Sequence, residues 1–294
     1  MASMVRRIAA GLAGKAALAA LCVPALAIVG PAACPAAAQD PQALDRAQVP
    51  ADPLGSPMWE HHAAGLLTSG RILFDPRVAV RLPLLAENQH VFPVTVDARA
   101  LEANGRPKVR RIVLLADLNP IPVAVDFTLH RAAPFLATRI KLDQRTPVRA
   151  LVQTEDGTWH VGGQWIDAAG GGCSAPPVSR ARGDWADHLG EARGAMWSAA
   201  EGPQLDGPVP PGGMARLRLA FRHPMDTGLV ENIPPYFIES LKLRDAGGAV
   251  LAEMAIAASV AEDPAFTVIV PATGAVRFEA VDTGGLVFAG TVQP

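Results

Sequence analysis

Val123-Ala124-Val125-Asp126-Phe127-Thr128-Leu129 alternates with period two, placing Val123, Val125, Phe127 and Leu129 on one face. That period belongs to a half-buried strand. Working upstream, Arg111-Ile112-Val113-Leu114-Leu115-Ala116-Asp117 is a short apolar run closed by a polar residue, and Val91 to Val96 contains Pro93, which restricts it to an edge or irregular strand. Downstream, Pro147 to Thr154 and Thr158 to Ile166 flank Asp156-Gly157, a strong hairpin signal. A second block repeats the pattern. Ala215 to Phe221 alternates cleanly, and Ile238 to Arg244 and Ala249 to Met254 flank Ala246-Gly247-Gly248. Phe266 to Val270, Ala275 to Val281 and Leu286 to Val292 follow, with Thr273-Gly274 and Gly284-Gly285 at the turns. Short strands at this spacing without alternating helices predict an all-β chain of antiparallel sandwiches in two blocks. The 27 glycines and 27 prolines suit such a turn-rich fold.

Between the blocks, residues 174–212 read differently. Pro176-Pro177 and Pro208 to Gly213 resemble linker ends. Trp185, Leu189, Ala192 and Met196 fall at helical spacing and predict a short amphipathic helix, which Gly190 and Gly194 weaken.

The N-terminus predicts export. Arg6, Arg7 and Lys15 precede an apolar stretch over 16–30. That stretch is shorter than the roughly 20 residues a membrane span needs. Ala36-Ala37-Ala38 then offers a small-residue cleavage site, so residues 1–38 read as a secretory signal peptide cleaved near Ala38. Lipid attachment at Cys34 is the rival reading, although Pro31 stands where leucine is wanted. Cleavage leaves about 250 residues, one large domain or two small ones. The formal charge of −2 gives no reason to expect a nucleic-acid or membrane partner.

Cleavage would also remove Cys22 and Cys34 and leave Cys173 alone in Gly170-Gly171-Gly172-Cys173-Ser174-Ala175-Pro176-Pro177. A lone thiol cannot close an internal disulfide, and three glycines before it predict an exposed thiol on a flexible arm. No Lys, Arg or His lies within six residues of Cys173, so a thiol pKa near the ordinary value of about 8.5 is expected unless the fold supplies a cation. His160 is a possible base for the thiol, although its alternation phase places it on a solvent-facing strand position. His61 and His62 are adjacent and read as a surface segment; His223 and Asp226 read as a structural turn. No zinc-spaced Cys/His set, phosphate loop or nucleophile elbow occurs, so neither a metal nor a cofactor is expected.

Four groups of residues then resemble a known pair of families. Val113-Leu114-Leu115-Ala116-Asp117-Leu118-Asn119-Pro120-Ile121-Pro122, Ala137-Thr138-Arg139-Ile140-Lys141-Leu142 and Gly171 to Cys173 are similar to SoxY. His223-Pro224-Met225-Asp226-Thr227-Gly228-Leu229 through Ile233-Pro234-Pro235-Tyr236-Phe237-Ile238 is similar to SoxZ. The chain thus resembles SoxYZ sulfur carriers with both partners fused, as in the subgroup associated with quinoprotein dehydrogenases. The resemblance implies two immunoglobulin-like sandwiches in tandem: a SoxY-like domain over 39–172, the carrier cysteine and linker over 173–211, and a SoxZ-like domain over 212–294. It implies a periplasmic, monomeric, non-enzymatic carrier holding sulfur intermediates on Cys173, with Gly170, Gly171 and Gly172 as the arm. Its implied partners are sulfur-oxidation enzymes of c-type cytochrome and sulfohydrolase type, or a quinoprotein dehydrogenase. SoxY chains end in Gly-Gly-Cys-Gly-Gly, whereas here Ser174-Ala175-Pro176-Pro177 follows and tethers the arm at both ends. From Asp167 to Cys173 the tether spans at most roughly 20 Å. Two other readings stay open: a non-covalent adaptor for a quinoprotein dehydrogenase, and an enzyme using Cys173 with His160.

Overall fold

The computed structural model describes residues 49–67, 70–183, 185–198 and 213–294, all in one compact unit. The expected signal peptide and part of the expected linker lie outside these residues. The first half contributes α1 (Trp59–Leu66), β1 (Ile72–Phe74), β2 (Ala79–Arg81), β3 (Phe92–Asp97), β4 (Val109–Ala116), β5 (Val123–Leu129), β6 (Ala133–Ile140), β7 (Thr146–Thr154) and β8 (Trp159–Ile166). After the short α2 (Val178–Arg182), the second half contributes β9 (Ala192–Ser198), β10 (Met214–Phe221), β11 (Ile238–Asp245), β12 (Val250–Ile256), β13 (Ala265–Pro271), β14 (Val276–Asp282) and β15 (Val287–Val292).

The strands form two sheets, one ordered β1-β8-β7-β4-β5-β12-β11-β14-β15 and the other β2-β3-β6-β13-β10-β9. Each half is a sandwich with one layer in each sheet, as the alternation predicts. The sandwiches are also fused edge to edge. β5 pairs antiparallel with β12, Phe127 opposite Met254, and β6 pairs with β13, Ala137 opposite Thr267. Exposed strand edges invite pairing, and here each half covers an edge of the other. A continuous apolar core follows, in which Val125, Phe127 and Leu136 of the first half join Leu219, Phe221, Met254 and Phe266 of the second. Pro93 sits in β3 where only β6 flanks it, because β2 reaches no further than Thr95. The missing N–H of proline therefore breaks no ladder there.

The helix expected over Trp185, Leu189, Ala192 and Met196 does not form. Trp185–His188 is a single 3-10 turn, and Ala192 and Met196 belong to β9. β9 pairs along β10, with Met196 opposite Leu217 and Gly194 opposite Leu219. Gly194 is the enabling residue: a Cβ there would lie 2.2 Å from Val292 Cγ2. The weak helical periodicity loses to a seven-residue strand ladder and burial of Met196 against the core.

Among the described residues no helix is long and apolar enough to cross a membrane. The N-terminal segment is pinned by a buried cation. The Arg149 guanidinium donates to Asp117 Oδ2 at 2.8 Å, pairs with Asp52 and lies 4.8 Å from the Trp59 ring centre. His62, expected on the surface, is buried against Asp117 O at 2.8 Å; His61 is exposed. The expectation failed for His62 because α1 packs one face inward, and adjacent helical residues point in different directions.

Candidate functional site

Cys173 lies where the two halves meet, on the segment leaving β8 for the second half. The thiol expected in solvent is buried, with 0% of the residue exposed. The arm is docked by its own backbone. Gly171 N–H donates to Asp143 O at 3.2 Å and Gly172 N–H to Leu142 O at 3.0 Å. Asp143 Oδ1 accepts from Cys173 N–H at 3.1 Å, Ser174 N–H at 3.2 Å and the Ser174 hydroxyl at 2.9 Å. Thr227 of the second half donates its hydroxyl to Cys173 O at 2.7 Å.

The glycines permit this close seat. A Cβ on Gly172 would stand 2.4 Å from Gln89 O and 2.5 Å from Leu142 O, so only glycine passes between those two backbones. Gly170 and Gly171 have φ of +99° and +83°, a region costly for other residues. In this docked state the three glycines supply close approach and positive φ. The segment after Cys173 is also held: Arg180 on α2 grips Asp226 of the second half, with Nε at 2.8 Å from Oδ1 and 2.9 Å from Oδ2. Both tethers are therefore anchored.

The electrostatics differ from the expected ordinary thiol. Burial pushes the Cys173 thiol up to about 12, with the Asp143 carboxylate adding to the rise. The fold does supply a cation, Lys141, whose charge pulls the thiol down but does not overcome burial. Lys141 is only 3% exposed. Its ammonium donates to Ala258 O at 2.8 Å and to Met225 O, and burial pushes it down to about 8. A protonated thiol is a poor nucleophile, so in this buried seat Cys173 is poorly reactive.

His160 does not serve the thiol. Its Nδ1 lies 2.8 Å from Asp75 Oδ2, and Arg77 holds the same carboxylate. It is buried at 8% exposure, where a solvent-facing position was expected, because the segment 72–78 lies over β8. His223 and Asp226 do form a structural turn, and it doubles as the wall of the site. His223 Nδ1 accepts from Met225 N–H at 3.0 Å, so its Nε2 bears the proton toward Asp282 Oδ2 at 3.3 Å. Burial pushes His223 down to about 4, so it is neutral at pH 7. Met225 adopts φ 54° within this turn, and its carbonyl receives Lys141. Among the described residues no cluster of His, Cys, Asp or Glu suits a metal ion.

Lys141, Asp143 and Thr227 are the residues that sequence reading missed. Each stands at least 30 positions from Cys173, and none carries a local signal beyond Lys141 following an apolar strand.

Comparison with known proteins fits this division at the thiol. The family model "Sulfur oxidation protein SoxY" matches residues 65–173, ending on Cys173, and "Sulphur oxidation protein SoxZ" matches residues 207–293. The chain belongs to the SoxY and SoxZ families, joined in one polypeptide. The docking contacts can now be assigned: Asp143 and Lys141 come from the SoxY half, Thr227 and Met225 from the SoxZ half. Among solved structures, the sulfur carrier protein SoxY from Chlorobium limicola f thiosulfatophilum is similar at 22% identity, covering 37% of this chain and 94% of that one, with a TM-score of 0.32. A beta-glycosidase from Bacteroides vulgatus is similar at 8% identity, covering 81% of this chain and 26% of that one, with a TM-score of 0.22. Likenesses of this size add nothing to the family assignment. No curated protein matches the chain.

Proposed function

We propose that this SoxY–SoxZ protein is a periplasmic carrier that holds sulfur intermediates covalently on Cys173 and presents them to separate sulfur-oxidation enzymes. The observation that carries the reading is the position of the thiol: a free cysteine at the last residue of the SoxY match, on a glycine segment held by groups from both halves. Loading and delivery require the arm to undock, because a buried thiol at about 12 cannot attack a donor. Released, Cys173 returns toward about 8.5 and only a few per cent is thiolate at pH 7, which leaves activation to the partner's own site. Joining the thiol to a sulfane sulfur forms one S–S bond and releases one proton and two electrons. A partner of c-type cytochrome class takes the electrons, and a sulfohydrolase-type partner releases the oxidised end by hydrolysis. In this reading the carrier performs no catalysis, and residues 1–38 direct export and are removed in the course of it.

The test is the intact mass of the exported protein, isolated without reductant and again after incubation with thiosulfate and candidate partner enzymes. A sulfane or sulfonate adduct, lost in Cys173→Ser, is expected. A thiol that stays bare under all these conditions would overturn the carrier reading and favour an adaptor for a quinoprotein dehydrogenase.

A further inference from the structure

A second cluster lies on the outer face of the six-stranded sheet. Thr95 on β3, Ala137 on β6, Thr267 on β13 and Arg218 on β10 stand opposite one another in a row across four strands. Arg139 lies two residues along β6 from Ala137 and so projects from the same face. Between the two arginines β13 presents only Ala265 and Thr267, both small and buried. The result is a concavity of about 180 Å³ with small residues as its floor and two guanidiniums in its wall.

The charges in it are unbalanced. Among the described residues Arg218 forms no ion pair. Arg139 Nη2 donates to the backbone oxygen of Asp263 at 2.5 Å, while its Nε is buried without a hydrogen-bond partner. Burial and the charge of Arg218 both disfavour the Arg139 cation; Asp263 and Glu262 favour it. Those two carboxylates are already engaged, Asp263 with Arg222 at 2.6 Å and with His223 N–H at 3.1 Å, Glu262 with Ser179 N–H at 2.8 Å. Like charges on one sheet face repel, and an anion between the two arginines relieves that repulsion. Guanidinium forks match the paired oxygens of an oxyanion, and the Thr267 hydroxyl can donate to a further oxygen.

The geometry points to an oxyanion site at the seam of the two halves, with Arg139 from the SoxY half and Arg218 from the SoxZ half binding one small tetrahedral dianion such as sulfate, thiosulfate or phosphate. The site stands independently of the carrier reading. Because its arginines flank the β6–β13 pairing, bound anion clamps the two halves together.

The experiment is isothermal titration of the full chain with sodium thiosulfate, sulfate or phosphate in a chloride background at fixed ionic strength, which removes general screening. One saturable site per chain is expected. Arg139→Gln and Arg218→Gln should each weaken binding at least tenfold, and Arg218→Lys, which keeps the charge but loses the fork, should fall between. Circular dichroism checks that each variant folds. Binding stronger for the two sulfur oxyanions than for phosphate makes sulfur chemistry the source of the ligand; equal binding makes the site a general oxyanion clamp. Absence of saturable heat above chloride overturns the proposal. So does wild-type affinity in both glutamine variants, or loss of binding in Cys173→Ser, which would place the anion at the thiol.

Discussion

Asp143→Ala should release the arm without unfolding the sandwich. Asp143 Oδ1 accepts three hydrogen bonds from Cys173 and Ser174. Each is worth about 0.5–1.5 kcal/mol net, more to a charged acceptor, so their loss weakens docking by about 3 kcal/mol. At about 1.4 kcal/mol per factor of ten, the undocked population rises about a hundredfold. The assay is the rate at which Cys173 reacts with an aromatic disulfide at pH 7.5, with the denatured chain giving the rate of a fully open thiol. While re-docking outpaces reaction, the observed rate is the open-thiol rate multiplied by the open fraction. Wild type should react far more slowly than the denatured chain, Asp143→Ala about a hundredfold faster than wild type, and Asp143→Asn between them, since its amide oxygen still accepts. The cooperative unfolding transition should not move by a comparable amount. Equal rates for wild type and Asp143→Ala, or wild-type protein reacting as fast as the denatured chain, would refute the docked-arm argument.

Three further outcomes follow from the same geometry. Gly172→Ala should raise thiol reactivity more than Gly171→Ala, because its Cβ meets two backbone oxygens while the Gly171 position opens on free space and costs only its positive φ; the two rates measured side by side decide it. Thiol reactivity should keep rising tenfold per pH unit above 8.5. The docked thiol is raised to about 12, so docking is at full strength below the open-state value of about 8.5 and weakens with pH up to the docked one. A plateau at 8.5, the behaviour of a free thiol, would contradict this. Arg149→Ala should destabilise the fold by about 3–5 kcal/mol, since it leaves Asp117 and Asp52 charged, buried and unpaired; denaturant titration measures it, and a loss under about 1 kcal/mol would count against the buried triad.

β5, β10 and β14 were legible from the alternation of Val123–Leu129, Ala215–Phe221 and Ala275–Val281. β7 is buried on both faces, and its hairpin with β8 was legible from the Asp156-Gly157 turn instead. β9 was not, because its apolar residues also satisfy a helical spacing and its deciding residue, Gly194, matters only beside Val292. The burial of His62 and His160 was hidden for a related reason: their partners, Asp117 O and Asp75, come from other segments.

The sequence by itself determined the all-β class, the two sandwich blocks and the thiol of Cys173 between them, because alternation, turn residues and a cysteine after three glycines are local properties of the chain. Only the tertiary structure decided that the blocks share both sheets, that Gly172 is a close-approach residue, and that Cys173 is seated between Asp143 and Thr227 beside a buried Lys141. Burial and electrostatics are set by groups distant in sequence. A thiol with no Lys, Arg or His within six residues can therefore still have its reactivity fixed by a lysine and an aspartate some 30 positions away.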